Sequence, residues 1–166
     1  MCVILLGPFN LEDCKTNSLS KVTGASGFVG STTVDEALKA GYRIRAAVRR
    51  EAVAQQLKDF FGPKYGADKI ETVIVTDITR PESFEGKLDG ASYIFHIASP
   101  LAGQGTNWRK DYIDPAIEGT VAILEAAIKV PSIKKIVITS SVASLSPVEG
   151  QPDDVVIRGK HSHPIP

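Results

Sequence analysis

The sequence predicts an α/β domain, a doubly wound parallel sheet with helices on both faces. Three observations predict it. Strand-like and helix-like segments alternate from about residue 18 onward. The later strand-like runs are apolar along their length, the pattern of strands covered on both sides. A glycine-rich loop, "TGASGFVG", joins the first strand of this series to the first helix. With 166 residues the chain has enough length for one core and too little for two.

Taken in order, residues 1–18 carry no clear pattern, although "CVILL" is apolar. "SLSKV" (18–22) is a short, polar strand. Residues 27–41 read as a helix with Val34, Ala37 and Leu38 on one face and Gly41 as its C-terminal cap. A strand runs from Tyr42 to Val48. Residues 50–61 form a helix with Val53, Leu57, Phe60 and Phe61 inward, ended by Gly62-Pro63. "ETVIV" (71–75) is a strand, 81–88 a short helix or turn, and "ASYIFHIA" (91–98) a strand. Residues 114–129 form a helix with Asp114 as N-cap, Pro115 in the first turn and Ile117, Val121, Leu124 and Ile128 as one stripe. "KKIVITSS" (134–141) is the last strand. Three regions follow: 1–18 unmatched, 19–145 as the domain, and 146–166 as an irregular tail.

Lys+Arg and Asp+Glu both number 19, so no basic excess points to nucleic acid. No run approaches a membrane span, and "CVILL" lacks the basic flank and length of a signal peptide. Cys2 and Cys14 make no disulfide framework, so a reducing, cytoplasmic setting is expected. His161 and His163 are two ligands without a third, so no metal is expected.

Gly24, Gly27 and Gly30 have the spacing of a dinucleotide loop. The first permits a tight turn, the second a close approach of backbone to a pyrophosphate, and the third close packing of helix on strand. The helix amino end then offers unpaired N–H groups and the positive end of its dipole. The next strand ends in Arg49-Arg50, where an NAD site would carry an acidic residue. A guanidinium at Arg49 suits a 2′-phosphate, so NADP(H) is expected over NAD(H). A solvated arginine pair opening a helix is the alternative.

"TGASGFVG", "AAVRR", "VTDIT", "IFHIASP", "DPAIEGT" and "IVITSSVASL" occur in register. Together they resemble the extended short-chain dehydrogenase/reductases of the NAD-dependent epimerase/dehydratase superfamily. Within it they are most similar to the dihydroflavonol reductase and fungal ketone/aldehyde reductase group. The resemblance runs from about Lys21 to Leu145. It implies a Rossmann-like sheet of order 3-2-1-4-5. It implies that Phe28 and Val29 give N–H groups to the pyrophosphate and that Arg49 takes the 2′-phosphate. Asp77 and Ile78 would meet the adenine, and Ile97, Ala98 and Ser99 the ribose side. Thr139 and Ser140 would lie near the nicotinamide. Ser141 matches the family's catalytic serine, which hydrogen-bonds the substrate carbonyl; a strand end with polar caps is the plainer reading of "TSS". His96, closing a strand, reads as a satisfied core or edge histidine.

The family's proton donor is a Tyr-x-x-x-Lys pair on a helix after that serine. Tyr65 and Lys69 have the spacing but stand before Ser141, between a helix and the next strand. That is the amino edge of the sheet, opposite the ligand edge. Pro63 and Gly66 also oppose a helix there. After Ser141 there is no tyrosine. The expectation is an NADP(H)-binding domain of a carbonyl reductase, without its substrate lobe and catalytically deficient. The alternatives are a non-catalytic dinucleotide-binding module acting as sensor or partner subunit, or a truncated product without function. A small carbonyl substrate would need a substrate lobe from elsewhere. Family dimers pair through helices, one of which follows the serine and is not in this sequence, so the resemblance sets no oligomeric state.

Overall fold

The computed structural model describes residues 2–6 (as backbone), 17–99 and 106–141. Six strands form one sheet: β1 (Cys2–Leu6), β2 (Leu19–Thr23), β3 (Arg43–Val48), β4 (Ile70–Ile74), β5 (Tyr93–His96) and β6 (Lys135–Ser140). Their order is β1-β6-β5-β2-β3-β4. From β2 onward every neighbouring pair is parallel, so these five strands stand in the expected order 3-2-1-4-5. Between them lie α1 (Phe28–Lys39), α2 (Glu51–Tyr65) and α3 (Asp114–Ile128).

"CVILL", in the unmatched segment, is a strand. It pairs antiparallel with β6 at the far edge, Cys2 opposite Ser140 and Ile4 opposite Ile138. The central position belongs to the polar β2, all five of whose residues are buried. Packing on both faces overrides its composition, at a local cost. Ser20 Oγ is buried without a hydrogen-bond partner. Lys21 is fully buried, its Nζ donating to the Lys87 carbonyl at 3.3 Å. Beside it, Arg45 donates to Glu71 at 2.9 Å and to the Asp89 carbonyl at 2.7 Å. Burial, with Arg45 and then Lys87 nearby and only Glu71 opposing, pushes the Lys21 amine down to about 7.

Two cores flank the sheet. On one face Val22, Ile44 and Ala46 meet Val34 and Leu38 of α1 and Leu57 and Phe61 of α2. On the other Ala47, Ile94 and Ile136 meet Phe84, Leu88 and Ile123.

Four helix expectations change. α2 does not stop at Gly62-Pro63 but continues to Tyr65, and ends at Gly66, whose φ is +105°. Lys64 and Tyr65 of that last turn both donate to Asp35 of α1, a tertiary contact that holds it, and the Phe61 and Tyr65 rings stack within the helix. Phe60 is exposed rather than inward. In α3 the large aliphatic stripe faces outward: Ile117, Val121 and Ile128 are exposed, whereas Gly119, Ala122, Ile123, Ala126 and Ala127 are buried. Small residues let α3 sit close to the sheet layer; a Cβ on Gly119 would lie 3.3 Å from Ile78. Nor is Asp114 an N-cap. It has helical angles, because a π-helical turn, Arg109–Ile113, precedes it.

Candidate functional site: a cleft at the carboxyl edge

The parallel strands β2, β3, β4 and β5 end on one cleft of about 1130 Å³. That is ample for a ligand beyond drug size. Its floor is the loop from β2 into α1. Gly24 turns with φ +70°, and a Cβ there would stand 2.8 Å from the Ala98 nitrogen. A Cβ on Gly30 would reach within 1.9 Å of the Gly24 carbonyl oxygen. Folding itself therefore requires glycine at both positions. Gly27 differs: a Cβ there would meet only the Gly24 oxygen, at an ordinary 3.4 Å.

Gly27 is also the N-cap of α1, with no side-chain cap and no acidic residue in the first turn. The first α-helical hydrogen bond runs from Ser31 N–H to the Gly27 carbonyl, 2.8 Å. The N–H groups of Phe28, Val29 and Gly30 thus have no partner within the helix. Phe28 is 91% exposed, so its ring leaves the amino end uncovered.

Thr23 joins the two central strand ends. Its hydroxyl accepts from Ile97 N–H and Ala98 N–H, both at 3.2 Å, and lies 3.0 Å from His96 Nδ1. With both lone pairs engaged, the hydroxyl proton goes to Nδ1, so His96 carries its proton on Nε2. Burial pushes the His96 imidazole down to about 4, consistent with a neutral ring. His96 is a satisfied core residue.

Of the expected site residues, the structure brings to this cleft Gly24, Gly27, Phe28, Val29 and Gly30 from the loop and α1, and Arg49 from the end of β3. Asp77 and Ile78 come from the segment after β4, and Ile97, Ala98 and Ser99 from that after β5. Asp77 accepts from Thr79 N–H at 2.9 Å and Thr79 Oγ1 at 2.6 Å, which with Arg80 nearby holds its carboxyl below the usual range. Thr139 and Ser140 lie at the end of β6 and Ser141 just beyond it; they do not line the cleft.

Tyr65 and Lys69 are not in the cleft. The Tyr65 hydroxyl donates to Asp35 Oδ1 at 2.7 Å, and Lys69 Nζ donates to Asn17 at 2.9 Å. Lys39, Lys64 and Tyr65 together hold the Asp35 carboxyl far below its ordinary range. His161 and His163 lie outside the described residues. No helix among the described residues is long and apolar enough to cross a membrane.

Sequence reasoning missed the Thr23 clamp. It also missed a second wall, in which Lys110, Asp111, Tyr112 and Pro115 line the cleft. No capping-box spacing marks it in the sequence, since Asn107 and Asp111 stand four residues apart rather than three.

The NAD dependent epimerase/dehydratase family matches residues 21–164. The ketoreductase sphI of Aspergillus fumigatus is 42% identical over 137 residues, 82% of this chain and 39% of that protein. The dihydroflavonol 4-reductase of Callistephus chinensis is 34% identical over 131 residues, 78% of this chain and 35% of that protein. A crystal structure of yeast methylglyoxal/isovaleraldehyde reductase Gre2 complexed with NADPH superposes with a TM-score of 0.70 at 29% identity, covering 76% of this chain and 38% of that one. The chain thus spans well under half the length of these relatives. Glycine loop, strand order and sequence match agree, and the chain belongs to the NAD dependent epimerase/dehydratase family.

Proposed function

We propose that this chain is the NADP(H)-binding part of a reductase of ketone or aldehyde carbonyls. The observation that carries the reading is the uncapped amino end of α1, opening on a cleft that Arg49 also lines. The residues present fit a dinucleotide. Gly27 has no packing reason to be glycine, and a Cβ there would compete with a ligand drawn close to the backbone. The Phe28, Val29 and Gly30 N–H groups hold the pyrophosphate, and Arg49 holds the 2′-phosphate. Asp77 and Ile78 flank the adenine, and Ile97, Ala98 and Ser99 border the ribose. Thr139 and Ser140 stand on the nicotinamide side, and Ser141 donates to the substrate carbonyl oxygen. When bound, the reduced nicotinamide supplies hydride to the carbonyl carbon. The NADPH held by the yeast structure and the reductase names of the relatives support this reading.

Proton delivery is the weak step. Tyr65 and Lys69 are tied to Asp35 and Asn17, away from the cleft, so neither donates to the oxygen. Loss of a positioned donor lowers turnover by roughly 10²–10⁴-fold. The same observation favours a second reading, a dinucleotide-binding module without catalysis.

Calorimetric titration of the chain with NADPH and then NADH tests both. Saturable binding with NADPH preferred, and a loss of about tenfold or more toward NADPH in Arg49→Asp, is expected. Binding of neither nucleotide would overturn the proposal. NADPH-dependent carbonyl reduction as fast as an intact reductase would overturn the deficiency and the second reading with it.

A further inference from the structure

Thr23 and His96 stand opposite each other as the last pair in register between β2 and β5. Beyond them β2 turns away at Gly24, whose φ is +70°. The N–H groups of Ile97 and Ala98, just past the ladder, are taken by a single side-chain atom. Thr23 Oγ1 accepts both at 3.2 Å. The same backbone is packed on the glycine loop: a Cβ on Gly24 would stand 2.8 Å from the Ala98 nitrogen and 3.2 Å from the Ile97 carbonyl carbon. Thr23, Gly24, Ile97, Ala98 and Ser99 all line the cleft. The Thr23 hydroxyl therefore sets where one wall of the cleft stands against the loop.

A hydroxyl oxygen has one proton and two lone pairs. A proton turned toward either N–H would deprive that group of its acceptor. His96 Nδ1, 3.0 Å from the oxygen, takes the proton elsewhere. Thr23 is 1% exposed and His96 3%, so bulk water has little access to compete for it. Burial pushes the imidazole down to about 4, which keeps Nδ1 an acceptor at neutral pH.

We propose that His96 is a positioning residue for the dinucleotide. Its Nδ1 takes the Thr23 hydroxyl proton, which aims both lone pairs at the Ile97 and Ala98 N–H groups and fixes the wall that borders the ribose. This rests on the reading that the cleft takes a dinucleotide. His96 is not among the residues lining the cleft and acts through Thr23.

The test sets shape against chemistry in the whole chain. His96→Phe keeps a ring and loses the acceptor. His96→Asn loses the ring and keeps an acceptor near the place of Nδ1. A histidine that only fills space would favour Phe over Asn; a positioning histidine favours Asn over Phe. Calorimetry with NADPH and NADH should show both affinities about tenfold weaker in His96→Phe and within about threefold of the parent in His96→Asn. Amide exchange at Ile97 and Ala98, read without nucleotide, should be about tenfold faster in His96→Phe and near the parent in His96→Asn. Ring nitrogen shifts of His96 in the parent should show the proton on Nε2. A proton on Nδ1 would overturn the inference, and this reading needs no variant, so it decides even if His96→Phe does not fold. Exchange or affinity that favours Phe over Asn would overturn it too, as would a His96→Phe chain that binds NADPH as well as the parent. A parent that binds neither nucleotide overturns the dinucleotide reading, and this inference with it.

Discussion

At the residue scale the three glycines of the loop answer to different constraints. Gly24 and Gly30 are required by the protein's own backbone, which a Cβ would meet at 2.8 and 1.9 Å. Gly27 leaves room that folding does not use. The expected outcome is a separation of two measurements. Gly30→Ala should lower the melting temperature strongly, because overpacking against backbone costs about 1–3 kcal/mol or more. Gly27→Ala should stay within about 1 kcal/mol of the parent in denaturant unfolding, the cost of a poorer N-cap. Its NADPH affinity should nonetheless fall by about tenfold or more, since a methyl enters space needed for close approach. Equal affinity in Gly27→Ala would mean that close approach of a ligand is not what requires glycine at this position.

At the element scale the apolar segment at the amino terminus closes an edge. β6 pairs with β5 on one side and with Cys2–Leu6 on the other. Without β1 it would present a row of free backbone groups, a template for pairing with another chain. Deletion of residues 1–6 should speed amide exchange along the β1-facing side of Lys135–Ser140, and sedimentation should become concentration-dependent. Unchanged exchange in β6 would mean that the pairing does not persist in solution. β1 reaches β6 at Thr139 and Ser140, opposite Val3 and Cys2. The same deletion therefore reads out whether order at these two residues depends on β1.

At the scale of the whole molecule, two buried bases tilt stability toward alkaline pH. Lys21 is lowered from 10.5 to about 7 and His96 from 6.5 to about 4, both mainly by burial. Between each pair of values the unfolded chain holds a proton that the folded chain does not, so unfolding free energy rises with pH in both windows. Below about 7 the fold must carry the Lys21 charge inside its central strand. Urea unfolding at pH 5, 7 and 9 should show increasing stability, on the order of a few kcal/mol in total. Lys21→Met should raise stability at pH 7 and abolish the rise between 7 and 9. An undiminished alkaline rise in that variant would take the effect away from Lys21.

The sequence by itself determined the sheet. Alternating apolar runs and amphipathic helices, with a glycine loop at the first crossover, suffice for a parallel sheet of five strands with helices on both faces, because right-handed crossovers leave few alternatives, while the order 3-2-1-4-5 was what the family resemblance implied. It also determined which loop ends meet, since in such a sheet every carboxyl edge lies on one side. Arg49, Asp77 and Ile97 share a cleft for that reason. Only the tertiary structure decided the rest. Periodicity gave α3 a stripe but not its direction, and small residues took the inner face because the helix sits close to the sheet layer. Pro63 argued for a helix end, yet contacts between Tyr65 and Asp35 carried α2 past it. "CVILL" offered a strand without an address, and its place beside β6 follows from long-range pairing that no local pattern encodes. Lys110 joined the cleft through a π-helical turn, a geometry set by the side chains of Asn107 and Asp111 bonding to backbone N–H groups of the same turn. In each case the deciding contact is between residues whose proximity only folding creates, or whose local bonding no periodicity reports.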